Sequence, residues 1–231
     1  MSVLSVRGSK AMGKIMGKVT GNKVAKWPEA RADRRKECQR ALLAQEAARL
    51  ICEHGITDFR TAKSKAAWSL GLSDRGALPS NLEIETALAE RNRIFSAEPH
   101  ARLLGKLRSV AVEVMHELQP FTPCLVGSVL SGNITEHSNI HVHVFADSSE
   151  LVGMRLDACG IHHQLRQRRH SIRRGRVETF PGYDFFAEDF TVETTVFPER
   201  RKGHAPLSPV DGKPMRRARL RDVQLLAGAG A

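Results

Sequence analysis

His141 and His143 stand two residues apart in Ser138-Asn-Ile-His-Val-His-Val-Phe145, a stretch whose alternation of polar and apolar residues predicts a strand. Alternate strand residues point to one face, so Asn139, His141 and His143 share a side while Ile140, Val142 and Val144 turn towards a core. Two imidazoles aimed the same way can clasp zinc, manganese or iron once a third ligand joins them. Glu193 is the candidate third ligand. Thr191–Phe197 also reads as a strand, with Val192 and Val196 on one face and Thr191, Glu193 and Thr195 on the other. The plainer alternative is that the histidines are exposed or hydrogen-bonded residues of a sheet's polar face, since a metal site needs three convergent ligands.

A second group of residues suits anions. His162 to Arg176 packs Arg166, Arg168, Arg169, Arg173, Arg174 and Arg176 into one segment, a density that can contact the phosphates of a nucleotide or of RNA. If residues 161–172 form a strand, Arg166 and Arg168 lie on one face with His162 and His170. Basic residues on a solvated edge strand also block aberrant pairing, and that reading stands beside the first. Aromatic residues are only 5% of the chain, which argues against a base-stacking platform. Asp211-Gly212, flanked by Lys213 and Arg216-Arg217, is a turn that either lies over the site or is plain surface.

Helices must precede these strands. Leu43, Ala47, Leu50 and Ile51 fall on one face of a helix over 29–54, stopped by Gly55. A second runs from Asp58 to Leu70 with Ala62, Ala66 and Leu70 inward. Ser80-Asn-Leu-Glu83 is a capping box that starts a third, carrying Ile84, Leu88 and Ile94 inward. A fourth spans Pro99–Leu118 with Leu103, Leu107, Val110, Val114 and Leu118 on its apolar stripe, and Pro120 and Pro123 end it. Cys124–Gly127 and Ile140–Ala146 are the first strands, residues 147–159 hold a short helix, and Gly160 restarts an extended stretch. Another short helix lies near Leu220–Leu226. The chain therefore divides into a basic disordered tail (1–28), a helical region (29–98) and a sheet-bearing domain (99–231).

Composition sets the bounds. A chain of 231 residues with 41% hydrophobic residues can bury a core, and no apolar run approaches the roughly 18 residues of a membrane span. Cys38, Cys52, Cys124 and Cys159 are scattered without a C-x-x-C pair, as expected of reduced cytoplasmic thiols. The net charge of +11 points to an anionic partner, but six basic residues (Arg7, Lys10, Lys14, Lys18, Lys23 and Lys26) sit in the acid-free tail. That tail reads as a disordered terminus or an extension from an early start codon, given Met12 and Met16, with a nucleic-acid arm or a presequence as alternatives.

Leu125-Val-Gly-Ser-Val-Leu-Ser-Gly132 completes the pattern: a strand, a Gly127-Ser128 turn opening a helix, and Asn139 eleven residues after Ser128. This order resembles the DNA polymerase beta superfamily of nucleotidyltransferases, which writes Gly-Ser, about ten residues, then Asp-x-Asp. More specifically, Gly55-Ile-Thr-Asp58, Ala62-Lys-Ser-Lys-Ala-Ala67, Leu78-Pro-Ser-Asn-Leu-Glu-Ile-Glu85, Leu125–Leu130, Val192-Glu-Thr-Thr-Val-Phe-Pro198 and Ala205–Arg217 resemble an uncharacterised bacterial nucleotidyltransferase-domain family over residues 40–226. Members are sometimes labelled UDP-N-acetylmuramate–alanine ligase, a name that no ATP-grasping motif in this chain supports.

The resemblance implies an α+β fold, with a helical N-terminal region followed by a polymerase beta-like sheet-and-helix domain. It assigns Gly127 and Ser128 to phosphate, held by backbone N–H groups at a helix N-terminus. Asn139 and His141 fall where the metal-binding carboxylates belong, and Glu193 falls at the third acid. Asn139 still offers a carbonyl, but His141 offers nitrogen, which magnesium disfavours. The expectation is a degenerate nucleotidyltransferase-fold protein, cytoplasmic and bacterial. It would bind nucleotide or another phosphate-bearing ligand through Gly127, Ser128, Arg166 and Arg168 without efficient transfer. RNA could bind through its basic residues, and no membrane is involved. The alternative is an active enzyme that moves NMP from an NTP to an acceptor, with Mg2+ or Mn2+ at Asn139, His141 and Glu193, and His143 as a weaker ligand.

Overall fold

Four helices come first in the computed structural model, which describes residues 27–72, 78–95 and 97–228. The basic tail up to residue 26 therefore lies outside the described residues. Helices α1 (Trp27–His54), α2 (Phe59–Ser69) and α3 (Asn81–Phe95) enclose their own small core. Leu43, Ala44, Ala47 and Ala48 of α1 meet Ala62, Ala66 and Ala67 of α2, with Ile84 and Leu88 from α3. So many alanines let the helix axes approach closely. Two of the starts are capped, that of α3 by the box that the sequence predicts. Asp58 accepts from Thr61 N at 2.8 Å, and Ser80 and Glu83 form a reciprocal box at 2.7 and 3.2 Å.

Ile94 departs from expectation: it is 57% exposed. Ten residues beyond Ile84, it lies about 80° off that residue's face at 3.6 residues per turn. The inward position in the last turns of α3 goes instead to Asn92, whose Nδ2 donates to Ile134 O at 2.8 Å.

Helix α4 (Ala97–Glu117) leads into a six-stranded mixed sheet. Its strands are β1 (Cys124–Val126), β2 (Ile140–Phe145), β3 (His163–Arg173), β4 (Arg176–Ala187), β5 (Phe190–Phe197) and β6 (Ala218–Arg219), in the order β3-β4-β5-β2-β1-β6. Only β2 and β5 run parallel. Between them lie α6 (Ser149–Ala158) and the long β3–β4 hairpin, turned at Gly175 with φ +77°. The extended stretch after Gly160 is thus two strands. Helix α5 (Gly127–Ser131) follows β1, and α7 (Leu220–Gly228) follows β6. No described helix is long and apolar enough to cross a membrane.

One sheet face carries Leu125, Ile140, Val142, Val144, Val192 and Val196 and packs on Leu107, Val110, Val114 and Leu118 of α4, Val152 and Leu156 of α6, and Val223 of α7. The other face is divided. Cys124, Phe145, Phe180 and Phe197 form an aromatic cluster at one end, and polar side chains fill the other.

The helical region braces the loop that joins α5 to β2. Asn133 Nδ2 donates to Glu85 O at 3.0 Å, and Asn92 holds Ile134. Gly55, at φ +62°, lies so close to this loop that a Cβ would stand 2.9 Å from His137 Cγ. Gly71 has almost the same backbone, φ +63°, but open space around it. Gly71→Ala is therefore expected to cost about 1–2 kcal/mol of left-handed strain alone. Gly55→Ala adds the clash and should cost about 2–4 kcal/mol in all. Urea unfolding of the two variants checks this, and equal losses would show that Gly55 does not seat the loop.

Candidate functional site

Gly127 opens α5 at φ +75°, immediately after the extended Val126. A Cβ there would also crowd His141, standing 3.3 Å from its Cδ2. Val126 pairs with His141 across β1 and β2, so the Gly127-Ser128 turn and His141 are side by side.

Strand register builds the rest. His141 pairs with Glu193, and Glu193 pairs with Asp184, so three adjacent strands present these side chains in one rung on one face. Asn139, immediately before β2, donates Nδ2 to Glu193 Oε1 at 2.6 Å. His141 Nδ1 lies 3.4 Å from Glu193 Oε2. The surrounding protein desolvates His141 and holds its pKa below the ordinary imidazole value. The Arg168 charge adds to that effect, and Glu193 opposes it.

Arg168 crosses from β3 to reach this rung. Its Nε donates to Thr194 O at 3.0 Å, Nη1 to Glu193 Oε2 at 2.5 Å, and Nη2 to Asp184 Oδ1. The path passes over Gly182, where a Cβ would stand 2.0 Å from Thr194 O and 3.2 Å from Arg168 Nε. Tyr183 and Thr194 adapt to the same close approach: Thr194 Oγ1 accepts from Tyr183 N at 2.9 Å and donates to Tyr183 O at 3.1 Å.

Arg166, on the same face, keeps its Nε 3.5 Å from Asp184 and donates to Gln164 Oε1 at 2.7 Å, with its side chain more than half exposed. The remaining arginines do not join it. Residue alternation turns Arg169 to the opposite face, and Arg173 and Arg176 pair at the far end of the hairpin. The six arginines are thus divided, and β3, which carries most of them, is an edge strand.

His143 is also separated from the rung. Although it is on the face predicted, it is buried among the aromatics, with its ring 4.8 Å from Phe197 and 5.5 Å from His170. Its Nδ1 accepts from Arg217 Nε at 3.2 Å. Arg217 closes this end of the sheet, stacked over Phe145 and Phe197 and donating to the carbonyls of Arg201 and Lys202. His143 therefore has no approach to a metal held by Asn139, His141 and Glu193. Burial, reinforced by Arg217 and His170, holds His143 well below the usual imidazole range.

The divalent metal that the resemblance implies does not fit the rung as arranged. Asn139 takes one oxygen of Glu193, and Arg168 takes the other. Among the described residues no three His, Cys, Asp or Glu side chains form a group able to hold a metal ion. The sequence pattern did not single out Asp184, Gly182 or Phe186. Asp184 alternates with Tyr183 and Phe185, a signal that becomes readable only when β4 is separated from β3. Phe186 lies one step beyond Asp184 on the site face, paired with Thr191, and is 74% exposed.

Comparison of the chain with protein-family models, curated proteins and solved structures returned no match.

Acid should loosen the closed end of this face. His170 shares the aromatic cluster, its Nε2 3.2 Å from Thr195 Oγ1, and burial followed by the charge of Arg168 lowers its pKa to about 4. A base whose folded pKa is depressed stabilises the fold above its unfolded value near 6.5, and that stability is lost as pH falls from about 6.5 towards 4. His170 alone is expected to cost about 2 kcal/mol between pH 7 and pH 5, and His143 acts in the same direction. Urea unfolding at the two pH values measures the loss. His170→Phe should flatten the slope, and an unchanged slope would place the titrating group elsewhere.

Proposed function

We propose that this chain is a degenerate nucleotidyltransferase-fold protein that binds nucleotide, or another phosphate-bearing ligand, without efficient transfer. The observation that carries the reading is the state of Glu193. This carboxylate, beside Asn139 and His141, has both oxygens hydrogen-bonded within the protein. Transfer by a two-metal route needs free anionic oxygens that bridge the ions, and those of Glu193 are already taken by Asn139 and Arg168. The surrounding arrangement still favours a phosphate-bearing ligand. Gly127-Ser128 opens α5 beside His141, Arg166 stands half-exposed on the same face, and the strand–turn–helix–strand order accords with a polymerase beta-like fold.

Phe186 supports a nucleotide over a bare phosphate. Its ring lies on the site face three strands from Gly127, roughly 14 Å at the spacing of neighbouring strands, a span suited to a base joined to its phosphates. Exposed aromatic rings bind bases by stacking. We place this activity in the bacterial cytoplasm.

Titration calorimetry with ATP, CTP, GTP and UTP, with and without Mg2+ or Mn2+, followed by a product assay, tests the proposal. Binding that does not depend on metal, with product at background, is expected. Phe186→Ala should weaken nucleotide binding by about 1–3 kcal/mol while leaving tripolyphosphate binding unchanged. Arg166→Ala should lower the salt slope by about one. Turnover that disappears in Glu193→Gln would establish the active, metal-dependent enzyme instead.

A further inference from the structure

We infer that the hairpin end of the sheet holds a second binding site, which takes single-stranded nucleic acid, with a base in a largely apolar pocket and neighbouring phosphates on arginines. Residues 173–178 and 199–204 hold six lysines and arginines against two acids, Glu178 and Glu199. The fold sets these two segments side by side. Glu178 accepts from Arg201 Nη2 at 2.5 Å and lies 2.8 Å from Arg176 Nε, while Glu199 pairs with Lys202. Both acids are thereby taken. Arg173, Arg174, Arg200 and His204 are exposed, and none of these side chains has a partner among the described residues. Unpaired cations gathered on one surface attract a polyanion.

A pocket of about 460 Å³ opens here, a size within the range of ligand sites. Ile172, Ala205 and Pro214 supply its apolar wall, and Arg200, Arg201 and His204 its cationic side. Among the described residues no acid lines it. Arg201 is held in place by Glu178 and by Phe180, its Cζ 5.3 Å from the centre of that ring. Arg200 has no such internal partner. An apolar cavity bordered by cations suits a flat, weakly polar body with an anionic attachment. A nucleobase joined to its phosphates has that form, and an acidic side chain does not. A duplex keeps its bases stacked, whereas a single strand can turn one out. Protection of an edge strand explains charge along β3 but not Arg200 and His204, which lie beyond β5. From Glu193 to Glu199 is six residues along the chain, roughly 20 Å at the rise of a strand, so this pocket is separate from the Gly127 turn. The inference does not rest on nucleotide binding at that turn.

The probes are short fluorescein-labelled strands of oligouridylate and oligothymidylate, followed by anisotropy against the full chain over a salt series. Both should bind, with affinity that falls as salt rises. Arg173→Ala, Arg174→Ala and Arg200→Ala combined should weaken binding by about tenfold or more. They should also lower the salt slope by about two, at roughly 0.7 for each phosphate contact on a single strand. These side chains are exposed, and circular dichroism confirms that the variant is folded. An abasic strand of equal charge should bind about fivefold or more weakly than oligothymidylate, with the slope unchanged. Phe186→Ala, which probes the nucleotide site, should leave strand binding as it is, so the two sites fail independently. Unchanged strand binding in the triple variant overturns the inference, because affinity would then come from elsewhere, such as the six basic residues of the tail. An abasic strand that binds as well as oligothymidylate removes the base from the pocket and overturns it too. So does oligoglutamate or a short DNA duplex that binds as tightly as the single strands.

Discussion

The ion-paired bridge from Arg168 to Glu193 and Asp184 is the constraint on which the open face of the sheet depends. It joins three strands, β3, β4 and β5, through side chains as well as through backbone. Its members are largely withdrawn from water, so each is costly without the others. Satisfied together, they give the rung a fixed geometry, and Arg166 beside Asp184 supplies the second positive charge that balances it. That balance separates this site from an acid-rich metal centre. The carboxylates are present, but the chain itself neutralises them.

The same bridge explains local features that otherwise look unrelated. Gly182 lacks a side chain where the guanidinium must pass, and Thr194 turns its hydroxyl into the ladder beside it. Asn139 then satisfies the oxygen of Glu193 that Arg168 does not reach. Further along the same face, Arg217 performs a different task. It lies across Phe145 and Phe197 and donates to His143, so it seals the aromatic end from solvent. One arginine compensates acids at the open end, and another caps rings and a neutral imidazole at the closed end.

The helical region contributes to the site indirectly. Its core of small residues is separate from the core beneath the sheet, yet Asn92, Asn133, Glu85 and Gly55 tie it to the loop between α5 and β2. That loop sets where Asn139 enters the rung. Restraining it from outside the sheet adds to the β1–β2 pairing that sets the start of β2 beside the Gly127 turn.

Much of the local structure follows from the sequence alone. The capping box at Ser80 and Glu83, the stripe Leu107–Val110–Val114–Leu118 and the alternation around His141 rest on the fixed periods of helix and strand, and neighbouring residues suffice to read them. The same alternation put Asn139, His141 and Glu193 on the faces they occupy. Other features depend on which strands become neighbours. Asp184 joins the rung only because β4 lies beside β5, and Arg168 meets its acids only by crossing a strand at a glycine. His143 shares a face with His141 but is enclosed by His170, Phe197 and Arg217, which come from distant parts of the chain. Sequence periodicity determined the direction in which each side chain points. Tertiary pairing decided what it meets there, because burial and charge compensation are set by residues that the chain brings together only on folding.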